Sequence, residues 1–99
     1  MNFKIKKVAD HYGREHQIVK LAEECSELIR AICKYRLMTM VDLANCKGEP
    51  MYSLVDEIAD VEIMIEQVKY LFDIGIEVNE HKWMKVHRQL ERMKEDACE

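Results

Sequence analysis

The chain is 99 residues long, with 48% hydrophobic and 34% charged residues, and this length predicts one domain spanning residues 1–99. Its 19 acidic and 15 basic residues give a formal net charge of −4, which argues against binding a nucleic acid polymer through phosphate neutralisation. Only three glycines and one proline accompany abundant Glu, Lys, Leu, Ile and Met, so the composition predicts an all-α fold and disfavours sandwiches and barrels.

The first half of the sequence predicts two helices. Apolar residues recur at helical spacing over residues 2–12, and Gly13 is expected to end this helix in a left-handed conformation. Residues 14–35 contain neither Gly nor Pro and predict a second helix. Its predicted apolar face consists of Ile18, Ala22, Cys25, Ile29 and Ile32.

The second half predicts a loop and two further helices. Residues 37–53 lose the helical period and contain a Gly-Glu-Pro turn signal, so we expect a connecting loop, with room for one helical turn near residues 41–45. A third helix is predicted over residues 52–72 and a last helix over residues 77–95. The apolar residues of the last helix are Trp83, Val86, Leu90, Met93 and Ala97.

The cysteines and the N-terminal sequence bear on the compartment. The four cysteines form no C-x-x-C pair and no cluster with His at zinc-finger spacing, so no structural zinc is predicted. No apolar stretch has the length of a signal-peptide core or a membrane span. We therefore expect a cytoplasmic protein with reduced thiols and no membrane partner.

Two acidic signatures stand out on the predicted helices. The second helix carries Glu24 and Glu27, one turn apart on the same side, and the third carries Glu57 and Asp60 at the same spacing. On a helical wheel Glu57 falls within the apolar arc of its helix, with Asp60 at the edge of that arc. An ionised carboxylate in such a place requires a cation or strong hydrogen-bond donors.

A divalent metal answers this requirement best. Two adjacent helices would bring four carboxylates together, which is more negative charge than Lys20 alone neutralises. Oxygen ligands without matching His or Cys suit Mg²⁺, with Mn²⁺ as a substitute, whereas di-iron bundles use Glu-x-x-His pairs. Because Mg²⁺ commonly keeps positions for water and substrate phosphates, the site predicts a phosphate ester substrate.

The sequence contains two acidic motifs, Gln17-x-x-Lys20-Leu21-x-Glu23-Glu24-x-x-Glu27-Leu28 and Glu57-Ile58-x-Asp60-Val61. Together they resemble the motif of the MazG family of all-α nucleoside triphosphate pyrophosphohydrolases. The resemblance covers roughly residues 5–72. It implies an antiparallel helical bundle of MazG-like type. It also implies that water cleaves a nucleoside triphosphate between the α and β phosphates, giving a monophosphate and pyrophosphate, in a role such as nucleotide-pool housekeeping.

The resemblance also implies roles for individual residues. The Mg²⁺ ligands and catalytic residues would be Glu24, Glu27, Glu57 and Asp60. Lys20 and Gln17 would lie near the phosphates or the base. Lys34 lies near the side of the second helix that carries Lys20 and Glu24, and it is a further candidate for binding the negative charge of phosphate.

Several alternatives remain at this stage. The substrate could be a dedicated nucleotide, dUTP or phosphoribosyl-ATP, and the chain could instead be a non-catalytic helical adaptor whose acids only solvate its surface. Burial of Glu57 would distinguish the enzymes from the adaptor.

Three amphipathic helices and a short first one carry more apolar surface than so small a domain encloses. We therefore expect dimerisation to complete the core, with a homodimer as the smallest unit and a homotetramer as the larger option.

Overall fold

The computed structural model describes residues 2–37 and 49–97, and these residues form four helices and no strand. The helices are α1 (Phe3–Tyr12), α2 (Arg14–Arg36), α3 (Glu49–Leu71) and α4 (Gly75–Ala97). The prediction of an all-α fold is confirmed for this part of the chain. The helical turn considered near residues 41–45 lies outside the described residues.

The ends of α1 follow from local chemistry. The side-chain oxygen of Asn2 accepts a hydrogen bond from the backbone N–H of Lys4 at 2.7 Å, which satisfies a donor that has no partner within the helix. Gly13 has a φ of 85°, a value that side chains disfavour, and its N–H bonds the carbonyl of Ala9 at 2.8 Å. Gly13 therefore ends α1 with a positive φ, but its ψ of 172° lies outside the left-handed helical conformation that the sequence predicted, and α2 begins at the next residue.

The start of α3 corrects the predicted loop. We expected residues 37–53 to be a loop, but α3 begins at Glu49, so the prediction was wrong for residues 49–53. The turn signal was read from Pro50. Proline is nonetheless compatible with the first turn of a helix, where backbone N–H groups have no intrahelical acceptor and a φ near −65° is already helical.

A short turn at Asp73 separates α3 from α4. Asp73 has a positive φ of 54°, its N–H bonds the carbonyl of Tyr70 at 3.2 Å, and the N–H of Ile74 bonds the carbonyl of Lys69 at 3.0 Å. These two bonds form a Schellman motif with Asp in place of the usual Gly. Asp73 therefore provides the break between the two predicted helices, and Gly75 is the first residue of α4.

Helices α2 and α3 pack side by side in opposite directions. Gln17 near the start of α2 bonds Gln67 near the end of α3, while Ala31 near the end of α2 lines a cavity with Ser53 near the start of α3. Helix α1 rests on α3, where the hydroxyl of Tyr70 donates to Asp10 at 2.8 Å. The buried apolar residues are few and mostly on α3: Ala9, Ala31, Val61, Met64 and Val68.

The packed face of α2 differs from the predicted one. Ile18, Ile29 and Ile32 were expected in the core, but all three are exposed. Gln17 and Ala31 are the buried residues of this helix. The small side chain of Ala31 and the paired amide of Gln17 permit close approach to α3. Helical periodicity located an apolar stripe but not the side of α2 that contacts α3.

Helix α4 projects from the rest of the protein. None of its described residues is buried, and its contacts with α3 are few. The radius of gyration is 17.6 Å, against about 13 Å for a compact domain of this length. Among the helices that the structure describes, none has an apolar stretch sufficient to cross a lipid bilayer.

Candidate metal centre

Three of the four predicted ligands converge at the middle of the α2–α3 pair. Each of Glu24, Glu57 and Asp60 offers a carboxylate oxygen, and these oxygens lie within 4.8 Å of one another. The antiparallel packing of the helices creates this cluster, because Glu24 on α2 meets both acids of the Glu57–Asp60 turn on α3. Glu24 and Glu57 are partly buried, whereas Asp60 is exposed at the mouth of the cluster.

Glu57 is the most constrained of the three. Its Oε2 atom is buried and has no hydrogen-bond partner among the described residues. Burial of the carboxyl group, and then the negative charges of Asp60, Glu27 and Glu24, raises the pKa of Glu57 above its ordinary value. The predicted burial of Glu57 is thus reproduced, and its environment disfavours an ionised carboxylate without a cation.

Lys20 and Arg30 form ion pairs with acids of α2 and not with Glu57 or Asp60. Lys20 Nζ lies 3.4 Å from Glu24 Oε1 and 3.5 Å from Glu23 Oε2, and its hydrogen bond to Glu24, followed by the charge of Glu23, raises the pKa of Lys20. Arg30 lies 3.8 Å from Glu27 in an exposed pair. No ion pair among residues 2–37 and 51–97 includes Glu57 or Asp60.

The fourth predicted ligand, Glu27, lies beside the cluster rather than within it. Glu27 lines a cavity of about 170 Å³ together with Glu57, Lys34 and Ser53. It is near enough for its charge to contribute to the raised pKa of Glu57. Lys34, a predicted phosphate-binding residue, is exposed and borders the same cavity. Ser53, which the sequence analysis did not single out, adds a hydroxyl to this wall.

Gln17 lies apart from the carboxylates. It is seven residues before Glu24, about 10 Å along the helix axis. Its side chain is 3% exposed, donates to Gln67 Oε1 at 2.6 Å and accepts from Nδ1 of the exposed His16 at 2.6 Å. The amide of Gln17 therefore joins α2 to α3 in this structure, and its contact with substrate stays a prediction.

Gln67 is the residue that the sequence analysis missed. It is 2% exposed and completes the buried amide pair with Gln17. A helical wheel gave little signal, because Gln67 lies about 80° from Glu57, beyond Asp60 and outside the apolar arc. Its burial depends on how closely α2 and α3 approach, and a buried amide needs a partner, which the opposite amide supplies.

The chemistry of the donors fits a hard divalent cation. Every ligand in the cluster is a carboxylate oxygen, and one of these oxygens is buried without a partner among residues 2–37 and 51–97. No His or Cys of those residues joins the group. No protein-family model, curated protein or solved structure matches this chain.

Proposed function

We propose that this protein is a Mg²⁺-dependent nucleoside triphosphate pyrophosphohydrolase, which hydrolyses the bond between the α and β phosphates to give a monophosphate and pyrophosphate. The observation that carries the proposal is the buried Oε2 atom of Glu57, which has no hydrogen-bond partner in the part of the chain that the structure describes and belongs to a cluster of three carboxylates. The acidic motifs that resemble those of the MazG family contribute all three members.

Electrostatics explains why a cation is the expected ligand. Three carboxylates within 4.8 Å repel one another, and among the described residues the only cation paired with any of them is Lys20, on Glu24. Burial, and then the charges of the neighbouring carboxylates, raises the pKa of Glu57, so its negative charge is disfavoured. A divalent cation would remove this repulsion and give the buried oxygen a partner, whereas solvated surface acids need neither.

The residues around the cluster have distinct proposed roles. Glu24, Glu57 and Asp60 would hold Mg²⁺, with Glu27 as a fourth ligand that closes the cluster from the side of the cavity. Bound Mg²⁺ supplies charge neutralisation for the phosphates and lowers the pKa of a coordinated water. One of the four carboxylates accepts a proton from the attacking water.

The phosphate chain would be bound by lysines on α2. Lys34 is exposed at the edge of the cavity that Glu27 and Glu57 line, so its ammonium group is available to a ligand there. Lys20 lies on the other side of Glu24 and is half exposed. These two positions flank the carboxylates along the helix, which suits a substrate that extends past the metal on both sides.

The biological setting follows from the proposed substrate. Nucleoside triphosphates are made and consumed in the cytoplasm, where an enzyme of this kind would remove unwanted nucleotides from the pool. We propose a homodimer or homotetramer, because isoleucines on the outer sides of α2 and α3 are exposed in the single chain. No nucleic acid polymer is proposed as a partner, given the acidic composition.

Calorimetric titration with MgCl₂ tests the metal site apart from catalysis. The protein should bind Mg²⁺, the Glu57→Gln variant should lose most of that affinity, and the matched Glu62→Gln variant should retain it. Glu62 is an exposed acid on the same helix and does not belong to the cluster. If wild type and Glu57→Gln bind Mg²⁺ equally, the assignment of Glu57 as a ligand is wrong.

Pyrophosphate release across a panel of nucleotides tests the activity. Ribo- and deoxyribonucleoside triphosphates should release pyrophosphate only with Mg²⁺ or Mn²⁺, and the Glu57→Gln variant should be inactive. Turnover of dUTP or phosphoribosyl-ATP alone would move the assignment to a dedicated enzyme. Absence of both Mg²⁺ binding and turnover would refute the proposal and favour the adaptor.

A further inference from the structure

Helix α4 carries an apolar face that the described part of the chain does not cover. Trp83, Leu90 and Met93 are each about half exposed, and Val86 between them is half-buried. We call these four residues the α4 seam. They lie on a helix of 23 residues that has no buried residue and makes few contacts with α3.

The exposed area of the protein is larger than a folded monomer of this size requires. The chain exposes 8155 Å² at a mass of 11.8 kDa, whereas a compact monomer of that mass exposes about 5,900 Å². The excess, about 2,000 Å² per chain, is of the size that stable homodimers bury. A second copy of the chain is therefore a partner of adequate area.

The seam has the period of a coiled coil. Its four residues are spaced by three, four and three positions, which places them alternately at the a and d positions of a heptad repeat. Extended in both directions, the repeat includes Asn79 and Ala97. Charged residues then occupy four of the six flanking e and g positions, which face the partner helix.

We propose that the α4 seam packs against the α4 seam of a second copy in the antiparallel direction, about a two-fold axis. In the register that we infer, Trp83 faces Met93 of the second copy and Val86 faces Leu90 of the second copy. This register pairs the seam with itself along its whole length. A two-fold contact of this kind is self-complementary and closed.

Charge complementarity selects this direction and register. With Val86 opposite Leu90, the flanking positions place Glu80 opposite the second copy's Lys94 and Lys82 opposite the second copy's Asp96. The two-fold axis repeats each pair, so every Lys and every acid at these positions has an opposite charge across the seam. No like charges are placed opposite one another.

Other arrangements lose this match. A shift of one heptad in either direction brings no Lys opposite an acid at the flanking positions. A parallel pair would set Lys82 against the second copy's His87 and Gln89 against the second copy's Lys94. The antiparallel register is thus the one arrangement of the seam on itself in which Glu80 and Lys82 both have opposite charges facing them.

Substitution within the seam tests whether it is an interface. Sedimentation of the full chain over about 1–100 μM, the range in which an interface of this size is resolved, should show an assembly whose mass halves in Leu90→Asp. Met84→Asp is the matched control, because Met84 is 56% exposed against 47% for Leu90 and lies on the same helix off the seam. Circular dichroism should show equal helix content in both variants.

Charge reversal tests the register. Lys94→Glu should weaken association about tenfold, since both copies of the pair become repulsive, and Glu80→Lys combined with Lys94→Glu should restore it to within about threefold. Glu91→Lys should have no effect, although it changes the neighbour that Lys94 bonds at 3.4 Å in its own helix. Salt near 1 M should reduce these differences.

Three results would overturn the proposal. The first is a wild-type chain that remains monomeric across the whole range, and the second is an assembly that Leu90→Asp leaves intact. The third is loss of association in Lys94→Glu without restoration in the double variant. That third result would indicate docking of α4 in another register or on the exposed isoleucines of α2 and α3.

Discussion

The buried amide pair between Gln17 and Gln67 provides a quantitative test of how α2 and α3 are held together. The two side chains are 3% and 2% exposed and share one hydrogen bond of 2.6 Å. In Gln17→Leu the Oε1 atom of Gln67 loses its donor and stays buried. Such an unsatisfied group costs about 1–3 kcal/mol of the free energy of unfolding.

The double variant should behave differently from either single one. When both glutamines become leucine, two apolar groups of similar size face each other, and the cost of an unsatisfied amide disappears. The exposed His16, which donates to Gln17, can bond water instead. We therefore expect each single variant to melt roughly 5–20 °C lower and the double variant to melt close to wild type.

Urea unfolding of the wild type, the two single variants and the double variant, all at one fixed protein concentration, measures the coupling between the two amides. Additive losses, with the double variant least stable of all, would refute the reasoning because they would mean that the two amides act independently. The same proteins test the predicted role of Gln17 toward substrate. A rise in KM for Gln17→Leu that persists in the restored double variant would indicate a direct contact.

The remaining predictions concern the carboxylates, the core and the phosphate-binding lysine. Without metal, Glu57→Gln should melt at or above the wild-type temperature, because the substitution removes one charge from a repulsive cluster, and a lower melt would indicate a structural ion pair. The folded state raises the pKa of Glu57, so it binds this proton more tightly than the unfolded chain does. Wild type should therefore lose stability relative to Glu57→Gln as pH rises from the ordinary value of 4.5 through the raised pKa, as thermal melts across pH would show. Met64→Ala should lower the free energy of unfolding by about 2–5 kcal/mol, since Met64 is buried, and urea titration measures this loss. Lys34→Ala should raise KM roughly tenfold with little change in kcat, while Lys4→Ala on α1 should change neither; equal kinetics for both would remove Lys34 from the site.

The sequence predicted the carboxylate cluster because it depends on two simple properties. One-turn spacing places Glu57 and Asp60 side by side on one helix, and antiparallel packing of two adjacent helices brings Glu24 to meet them. The position of Glu57 within an apolar arc then predicted its burial. The spacing and the apolar arc can be read from periodicity, whereas the antiparallel pairing of the two helices was implied by the resemblance to the MazG family.

The packed face of α2 could not be predicted in the same way. Periodicity identifies apolar residues, but the contact surface depends on which side chains allow two helices to approach closely. Ala31 and the Gln17–Gln67 pair satisfy that condition, whereas Ile18 and Ile29 remain exposed. Likewise, a proline can indicate either a turn or the first turn of a helix, and Pro50 lies in the first turn of α3.

A small rotation of the backbone at Asp73 would produce a large displacement at the far end of α4. Helix α4 has 23 residues and is about 34 Å long, so a rotation of 10° about Asp73 moves its far end by about 6 Å. That displacement exceeds one helical turn of the seam. The positive φ of 54° and the two backbone bonds that close α3 therefore set the direction in which Leu90 and Met93 are presented. A β-branched residue at position 73, which disfavours this conformation, would misdirect the distal end of α4 while leaving the carboxylate cluster in place.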